Sequence, residues 1–439
     1  METSLAEIRE GKNPRFSIAV IGAGISGLSA AWLLSRKHNV TLYESKPIVG
    51  LCADSLELEI GGKFYYCDIP PRIILRPAYK EFFHLCLHLS VELEPLPWSV
   101  SFFDESRATY FSWFLLGRLI LPDLQTLMCK NIGRDRLWKF MYGYFLFLSR
   151  ISRDVKNLEL DHVSFAEYFK TNKFTYGSFF YREIIAFGNI MFSCSNRDVE
   201  NYPARIVINQ LYRQWQSRAY KVRGGLRGLV PKLTANVTLK MGSAVECLER
   251  KNGKISLTTH GTAAKFDHVV FATSPAEALH ILGGGATAEE REIFQSFSYT
   301  YPKVFIHTDS TLQKNPPSLM NISVSDKYDY AMANVYLNSF ALRDESDRLL
   351  PSDAPPHFQT INPIRPIDKK CIIKEMNLSR VVMTVTAKSM LDKWNQIQGK
   401  NNTWYCGSYG FYSSNLLEEG VASALNIAKQ FGISAPWQK

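Results

Sequence analysis

The chain has no C-x-x-C pair and no cysteine–histidine spacing of the zinc-binding kind. Its eight cysteines, at positions 52, 67, 86, 129, 194, 247, 371 and 406, are scattered. This excludes a thiol-clamped metal site and a disulfide framework, and it predicts reduced, mostly buried thiols in a cytoplasmic protein. Long apolar runs are missing too. Tyr110–Pro122 is interrupted by Arg118 and Phe140–Leu148 is too short, so neither spans a bilayer. The first twelve residues are charged and lack the apolar stretch of a secretory signal. No dense Lys/Arg run appears, which excludes a nucleic-acid footprint. No repeat or low-complexity segment stands out.

What is present is apolar material in quantity. Of 439 residues, 46% are hydrophobic and 21% charged, enough for the cores of two or three domains. A disordered tail, a collagen-like fibre and a coiled coil are excluded. Lysine plus arginine minus acids is 51 − 41 = +10, a mildly basic balance that favours anionic partners such as a phosphate, a carboxylate or an acidic membrane surface.

Residues 1–14 read as a loose leader. Phe16–Ile21 is a short apolar run suited to a buried parallel strand. Glycine punctuation follows at 22–27, then helical composition over Leu28–Ser35 and a second strand over Asn39–Tyr43, ending at Glu44. This is one β-α-β unit. From Tyr79 to Gln216 the texture is aromatic and leucine-rich with helical spacing, which predicts a mainly helical insertion. Lys221–Leu233 turns on glycines into a helix. Val237–Val245, Lys254–Thr259 and Phe266–Ala272 read as strands, with a hairpin turn at Asn252-Gly253. Beyond 299, strands at Lys303–Thr308 and Arg380–Val385 alternate with polar, proline-rich loops around 314–317 and 351–366. A strand at Thr403–Cys406 and a helix over Glu418–Phe431 close the chain.

The central motif is Val20-Ile21-Gly22-Ala23-Gly24-Ile25-Ser26-Gly27, between a strand and a helix. The first glycine permits the tight turn, the second lets the backbone approach a pyrophosphate, and the third lets helix and strand pack closely. The helix N-terminus offers unpaired N–H groups and a positive dipole end to phosphates. Glu44 ends the next strand, where a carboxylate accepts hydrogen bonds from ribose hydroxyls and disfavours a 2′-phosphate. Together these predict dinucleotide binding.

The segment from Ile21 to Leu34, then Val40-Thr-Leu-Tyr-Glu44, then Gly50, resembles the flavin amine oxidase, protoporphyrinogen oxidase and phytoene desaturase superfamily. Trp404-Tyr-Cys-Gly-Ser408 and Glu419-Gly-Val-Ala-Ser423 match the layout of that superfamily's C-terminal flavin motif. Asn201–Arg205, Val222–Gly225, Phe266–Thr273, His307–Asp309, Thr360–Pro363 and Asn402–Gly407 are similar to a branch found beside cyclopropane fatty acid synthases. The resemblance runs from about Phe16 to Phe431. It implies FAD as cofactor and an α/β fold: a Rossmann-like (GR2-type) FAD-binding domain built from 15–75, 218–298 and 400–439. A discontinuous α+β substrate domain would take 76–217 and 299–399.

By the same resemblance Gly22, Gly24, Ile25, Ser26 and Gly27 cradle the pyrophosphate, and Glu44 with Ser45 holds the ribose. Gly50, Leu51, Pro71 and Arg72 border the phosphates or flavin, and the Val245 backbone meets adenine. Gly407, Ser408 and Val421 contact the flavin. Leu51 and Pro70 stand where the superfamily carries glycine, and the loop Tyr412–Gly420 is longer than its counterpart and lacks a histidine. Lys303 corresponds to the amine oxidase lysine that holds a water near the flavin. Desolvated, it would act as a base; the other reading is a solvated strand-end lysine. No metal site is expected.

The sequence thus reads as an FAD-dependent oxidoreductase moving hydride between flavin and a hydrophobic, fatty acyl or lipid-like substrate, free or carrier-bound, as dehydrogenase, desaturase, reductase or isomerase. An amine oxidase, which Lys303 favours and the missing aromatic cage signature near the C-terminus disfavours although Tyr405 and Tyr409 are present there, and a non-catalytic flavin-binding scaffold are the alternatives. The aromatic stretches are expected to form core and pocket walls. The basic aromatic segment Phe114–Lys139 has a second reading as a peripheral membrane contact.

Overall fold

The computed structural model describes residues 15–52, 55–103, 109–116, 119–122, 134–172, 179–313, 319–411 and 416–438. The expected leader, the loop at 314–317, residues 412–415 of the last loop, and residues 117–118 and 123–133 of the basic aromatic segment lie outside the described residues.

The chain opens with β1 (Ser17–Ile21), α1 (Ile25–Ser35) and β2 (Asn39–Tyr43). There follow α2 (Lys80–His88), β3 (Ser99–Phe103), β4 (Thr109–Leu116) and β5 (Leu119–Pro122). The longest helix, α3 (Arg134–Asp154), leads through shorter ones to α4 (Phe179–Phe192) and α5 (Ala204–Gln216). Then come β6 (Thr238–Lys240) and β7 (His268–Phe271). The strands β8 (Lys303–His307), β9 (Met320–Ser323), β10 (Met332–Tyr336), β11 (Phe358–Ile361) and β12 (Ile372–Asn377) precede β13 (Thr403–Tyr405) and α6 (Leu417–Gln430).

Two sheets organise these elements. The first is five-stranded and all parallel, in the order β6-β2-β1-β7-β13. Its central strand reads Ser-Ile-Ala-Val-Ile because both faces are covered, and Ile18, Ala19 and Val20 have no exposed surface. Helices α1 and α6 pack on one another beside it. The second sheet is eight-stranded, in the order β12-β8-β11-β10-β9-β3-β4-β5, antiparallel except where β9 runs with β3. Among the described residues no helix is long and apolar enough to cross a membrane.

Four expectations need correction. The 79–216 insertion is not helical throughout: β3, β4 and β5 join the large sheet. Their apolar runs carry no period-two alternation, and the partner of β3 is Met320–Ser323, more than two hundred residues away. The proline-rich stretch 351–366 contains β11, buried along its whole length. The strand expected over Val237–Val245 ends at Lys240, before the turn at Gly242, where φ is +61°. The strand from Arg380 ends at Val382, because Thr384 caps a helix by accepting from the Ala387 N–H. The expected hairpin at Asn252-Gly253 is present, both residues having positive φ and Lys251 pairing with Lys254.

Candidate active site

The turn after β1 is built by three glycines in three different ways. Gly22 has φ +101°, and a Cβ there would lie 2.8 Å from the Ala272 carbonyl oxygen at the end of β7. At Gly27 a Cβ would fall 1.9 Å from the Gly22 oxygen, so α1 lies directly on the turn. Gly24 faces open space. Helix α6 then approaches from the far end of the chain. A Cβ on Gly420 would sit 2.6 Å from Ile25 Cγ2 and 3.0 Å from Ser26 Oγ. Two helix N-termini, each with unpaired N–H groups and a positive dipole end, therefore meet beside one open space.

Glu44 closes the other side of the turn. Its Oε2 accepts from the Ala23 N–H (2.9 Å), and its Oε1 from the Lys46 N–H (3.0 Å) and the Ser45 hydroxyl (3.2 Å). A Cβ on Gly50 would come within 2.6 Å of Oε2. The Glu44 carbonyl accepts from Ser243 N–H at 2.8 Å, which brings the segment leading to buried Val245 alongside. Leu51 donates its N–H to the Ala23 carbonyl and packs its side chain into the core.

From this turn a cavity of about 400 Å³ extends into the space between the two sheets. Its near wall holds Gly24, Ile25, Gly50, Leu51, Pro71, Arg72, Ser408 and Tyr409. Its far wall holds Ile190, Met191 and Phe192 of α4 with Met320, Val335, Gln359 and Ile361 of the large sheet. Pairing explains why this part of the sheet is apolar. Met320 stands opposite Val335, Val335 opposite Gln359, and Val304 opposite Ile361, so all point to one face. The opposite face carries the row Thr360, Asn334, Asn321 and Ser101.

This register decides the place of Lys303. It precedes Val304 on β8 and therefore projects from the face opposite the cavity, where it is exposed. That is not the desolvated position near a cofactor that its expected role requires. His307 shares that face and is fully buried. Its Nδ1 accepts from the Asp309 N–H (3.1 Å), and its Nε2 meets Thr360 Oγ1 at 2.7 Å. Burial lowers its pKa to about 4. Cys406 is buried against Ser423 Oγ (3.1 Å), and burial pushes its thiol up to about 12, so it is inert. Tyr405 stacks on Phe271 and bonds Glu290 within the core, so it takes no part in an aromatic cage, whereas Tyr409 lines the cavity. Gly407 lies under the Tyr409 ring, and Ser26, Gly27 and Val421 pack behind the cavity wall.

Two cavity features carry charge or polarity. Arg72 and Arg380 are the only permanently charged groups among the described lining residues. Arg72 faces Asp68, whose pKa burial raises and whose carboxylate accepts from the Leu226 N–H. Gln359, 1% exposed, holds its Oε1 without a hydrogen-bond partner on the otherwise apolar wall. Sequence reasoning missed it, because its strand sits in a stretch that reads as a loop.

Residues 20–89 match the family described as NAD(P)-binding Rossmann-like domain. Over 71 residues the chain is 42% identical to a 4,4'-diapophytoene desaturase (4,4'-diaponeurosporene-forming) of Staphylococcus aureus (strain COL), covering 16% of this chain and 13% of the relative. Over 33 residues it is 61% identical to the methylenetetrahydrofolate–tRNA-(uracil-5-)-methyltransferase TrmFO of Syntrophus aciditrophicus (strain SB), 7% of this chain and 8% of the relative. Both matches span a small part of the curated relatives. Solved structures agree along nearly the whole chain. A CLA-producing fatty acid isomerase from P. acnes superposes with TM-score 0.67 at 16% identity, covering 95% of this chain and 98% of that one. A cyclohexylamine oxidase from Brevibacterium oxydans IH-35A gives 0.62 at 14% identity, covering 95% and 100%. A putrescine oxidase gives 0.67 at 10% identity, covering 95% and 98%. The chain has this shared α/β fold, with its Rossmann-like dinucleotide-binding domain.

Proposed function

We propose that the chain is an FAD-dependent oxidoreductase acting on an apolar, acyl-chain-like substrate with an anionic end. The two interleaved domains expected from the sequence are part of this reading, residues 15–75, 218–298 and 400–439 holding the cofactor. One observation carries it: a single cavity joins the Gly24–Ile25 turn to the apolar face of the large sheet, and among the described lining residues its fixed charges are both arginines.

The residues present fit FAD. Gly24 leaves room where a side chain would intrude, and the N-termini of α1 and α6 face that room. The three hydrogen bonds on Glu44 leave acceptor capacity for a ribose hydroxyl. Gly22, Ser26 and Gly27 would shape the pyrophosphate turn, and Val245 would border the adenine. Leu51, Pro71, Arg72, Gly407, Ser408 and Val421 would border the rest. Bound there, FAD supplies a two-electron acceptor or donor.

The chain's own residues do the rest. Ile190, Phe192, Met320, Val335 and Ile361 exclude water and hold an alkyl chain. Gln359 presents an acceptor that orients a passing donor, and Arg72, whose Nε is buried without a partner, offers pairing to a carboxylate. Among the described lining residues a protonated amine would meet two arginines and no carboxylate, which argues against the amine oxidase reading.

The test is the visible spectrum of purified protein, followed by anaerobic titration with long-chain fatty acids and, separately, with primary amines. A flavin spectrum bleached by an acyl substrate supports the proposal. Bleaching by amines alone replaces it with amine oxidation. A bound flavin that neither class bleaches, that acyl substrates do not reoxidise once it is reduced, and that leaves their double bonds unmoved points to the scaffold.

A further inference from the structure

Helix α3 has two apolar stripes. Gly143, Phe147 and Ile151 face inward, Phe147 and Ile151 being 3% and 1% exposed, and the helix packs on α4 and α5. Trp138, Tyr142 and Phe145, spaced four and three residues apart, are exposed at 74%, 69% and 60%. At 100° per residue the centre of this second stripe falls opposite the first. The inner stripe anchors the helix, and the outer row of three aromatics is left largely in solvent.

We propose that this outer stripe seats the protein on an anionic membrane surface. The chemistry favours a lipid surface over a second copy of the chain or another protein. Trp and Tyr combine an apolar body with a polar tip and concentrate at the headgroup level of bilayers. The helix carries Arg134, Arg136, Lys139, Arg150 and Arg153 against Asp135 and Asp154, within a chain of net charge +10. The Arg153 side chain is 73% exposed. Arg153 also pairs with Asp154 at 3.0 Å, and the sequence of the helix is net basic; an exposed aromatic row on a net basic helix suits the plane of an anionic interface. The placement also deepens the acyl-substrate reading and in this respect rests on it. Helix α4, against which α3 packs, supplies Ile190, Met191 and Phe192 to the cavity wall, so the outer stripe lies one helix away from the acyl site.

The experiment is co-sedimentation of the full chain with vesicles of phosphatidylcholine alone, or with about a quarter phosphatidylglycerol, at low and at high salt. The wild type should bind the anionic vesicles and release as salt rises. The variant W138S/Y142S/F145S should lose about tenfold in partitioning while its melting temperature stays within about 2 °C of wild type, since the residues are exposed. Failure of the wild type to bind anionic vesicles overturns the proposal, as does binding equal to wild type by the folded triple variant. So does a wild-type dimer that the triple variant dissolves without any vesicle binding, which would assign the face to a second copy. If the variant does not fold, Tyr142→Ser alone, read by the same partitioning, decides. Flavin content is measured on the same preparation. Vesicle binding by flavin-free protein leaves this surface standing and removes the FAD reading, whereas flavin without vesicle binding does the reverse.

Discussion

Gly420, in the first turn of the C-terminal helix, lies against Ile25 at the start of the first helix, so close that a methyl group on its Cα would come 2.6 Å from Ile25 Cγ2. The contact joins residues 395 positions apart (420 − 25) and makes the two helix N-termini a single positive rim. The Gly420→Ala variant should therefore force the helices apart. The expected cost is about 1–3 kcal/mol of stability. FAD affinity should fall with it, because the rim is displaced. Thermal melts with and without added FAD check both; an unchanged melt and unchanged affinity would separate the rim from the cofactor.

Glu44 is the acceptor at the end of β2. Glu44→Gln keeps the shape but removes the charge and turns one oxygen, beside the Ala23 N–H or the Lys46 N–H, into a donor. FAD binding to apoprotein should weaken by about 1–3 kcal/mol, roughly five- to 150-fold in Kd. Flavin fluorescence titration measures it.

Gln359 separates stability from function. Its Oε1 is buried without a partner, and such an atom costs about 1–3 kcal/mol. Gln359→Leu, close in volume and fully apolar, should raise the melting temperature while slowing turnover of the acyl substrate. A fall in both would mean that the amide is structural. A rise in stability with unchanged turnover would remove it from the site.

Acid should destabilise the fold through its buried histidines. His38, His268 and His307 are each lowered by burial from an ordinary 6.5 to about 4. A base with a depressed folded pKa binds protons more readily when unfolded. The stability that depends on the neutral rings is complete above pH 6.5 and drains away as pH falls from 6.5 towards 4. In His307 the neutral form is needed, since Nδ1 accepts from the Asp309 N–H. The urea midpoint should drop over that window. His307→Gln should show a lower midpoint at pH 7 and a shallower slope below 6.5.

Local chemistry was legible in the sequence. The β1–turn–α1–β2 unit follows from a continuous apolar run, glycines whose spacing suits one turn, and an acid at the next strand end. All of these act within thirty residues, where steric and hydrogen-bonding rules are strong. The β3–β5 strands were illegible for the opposite reason. Ser99–Phe103 is buried apart from its first residue, so its pattern has no period, and its strand partner lies at Met320–Ser323.

The residue order by itself determined that this chain builds a dinucleotide turn: only glycine tolerates φ +101° at position 22, and only glycine lets position 27 lie on the Gly22 carbonyl. Tertiary structure alone decided which polar groups face the cavity. Pairing Val304 with Ile361 turns Lys303 away and brings Gln359 in, because alternate residues of a strand point to opposite faces and the register between distant strands sets which face is which.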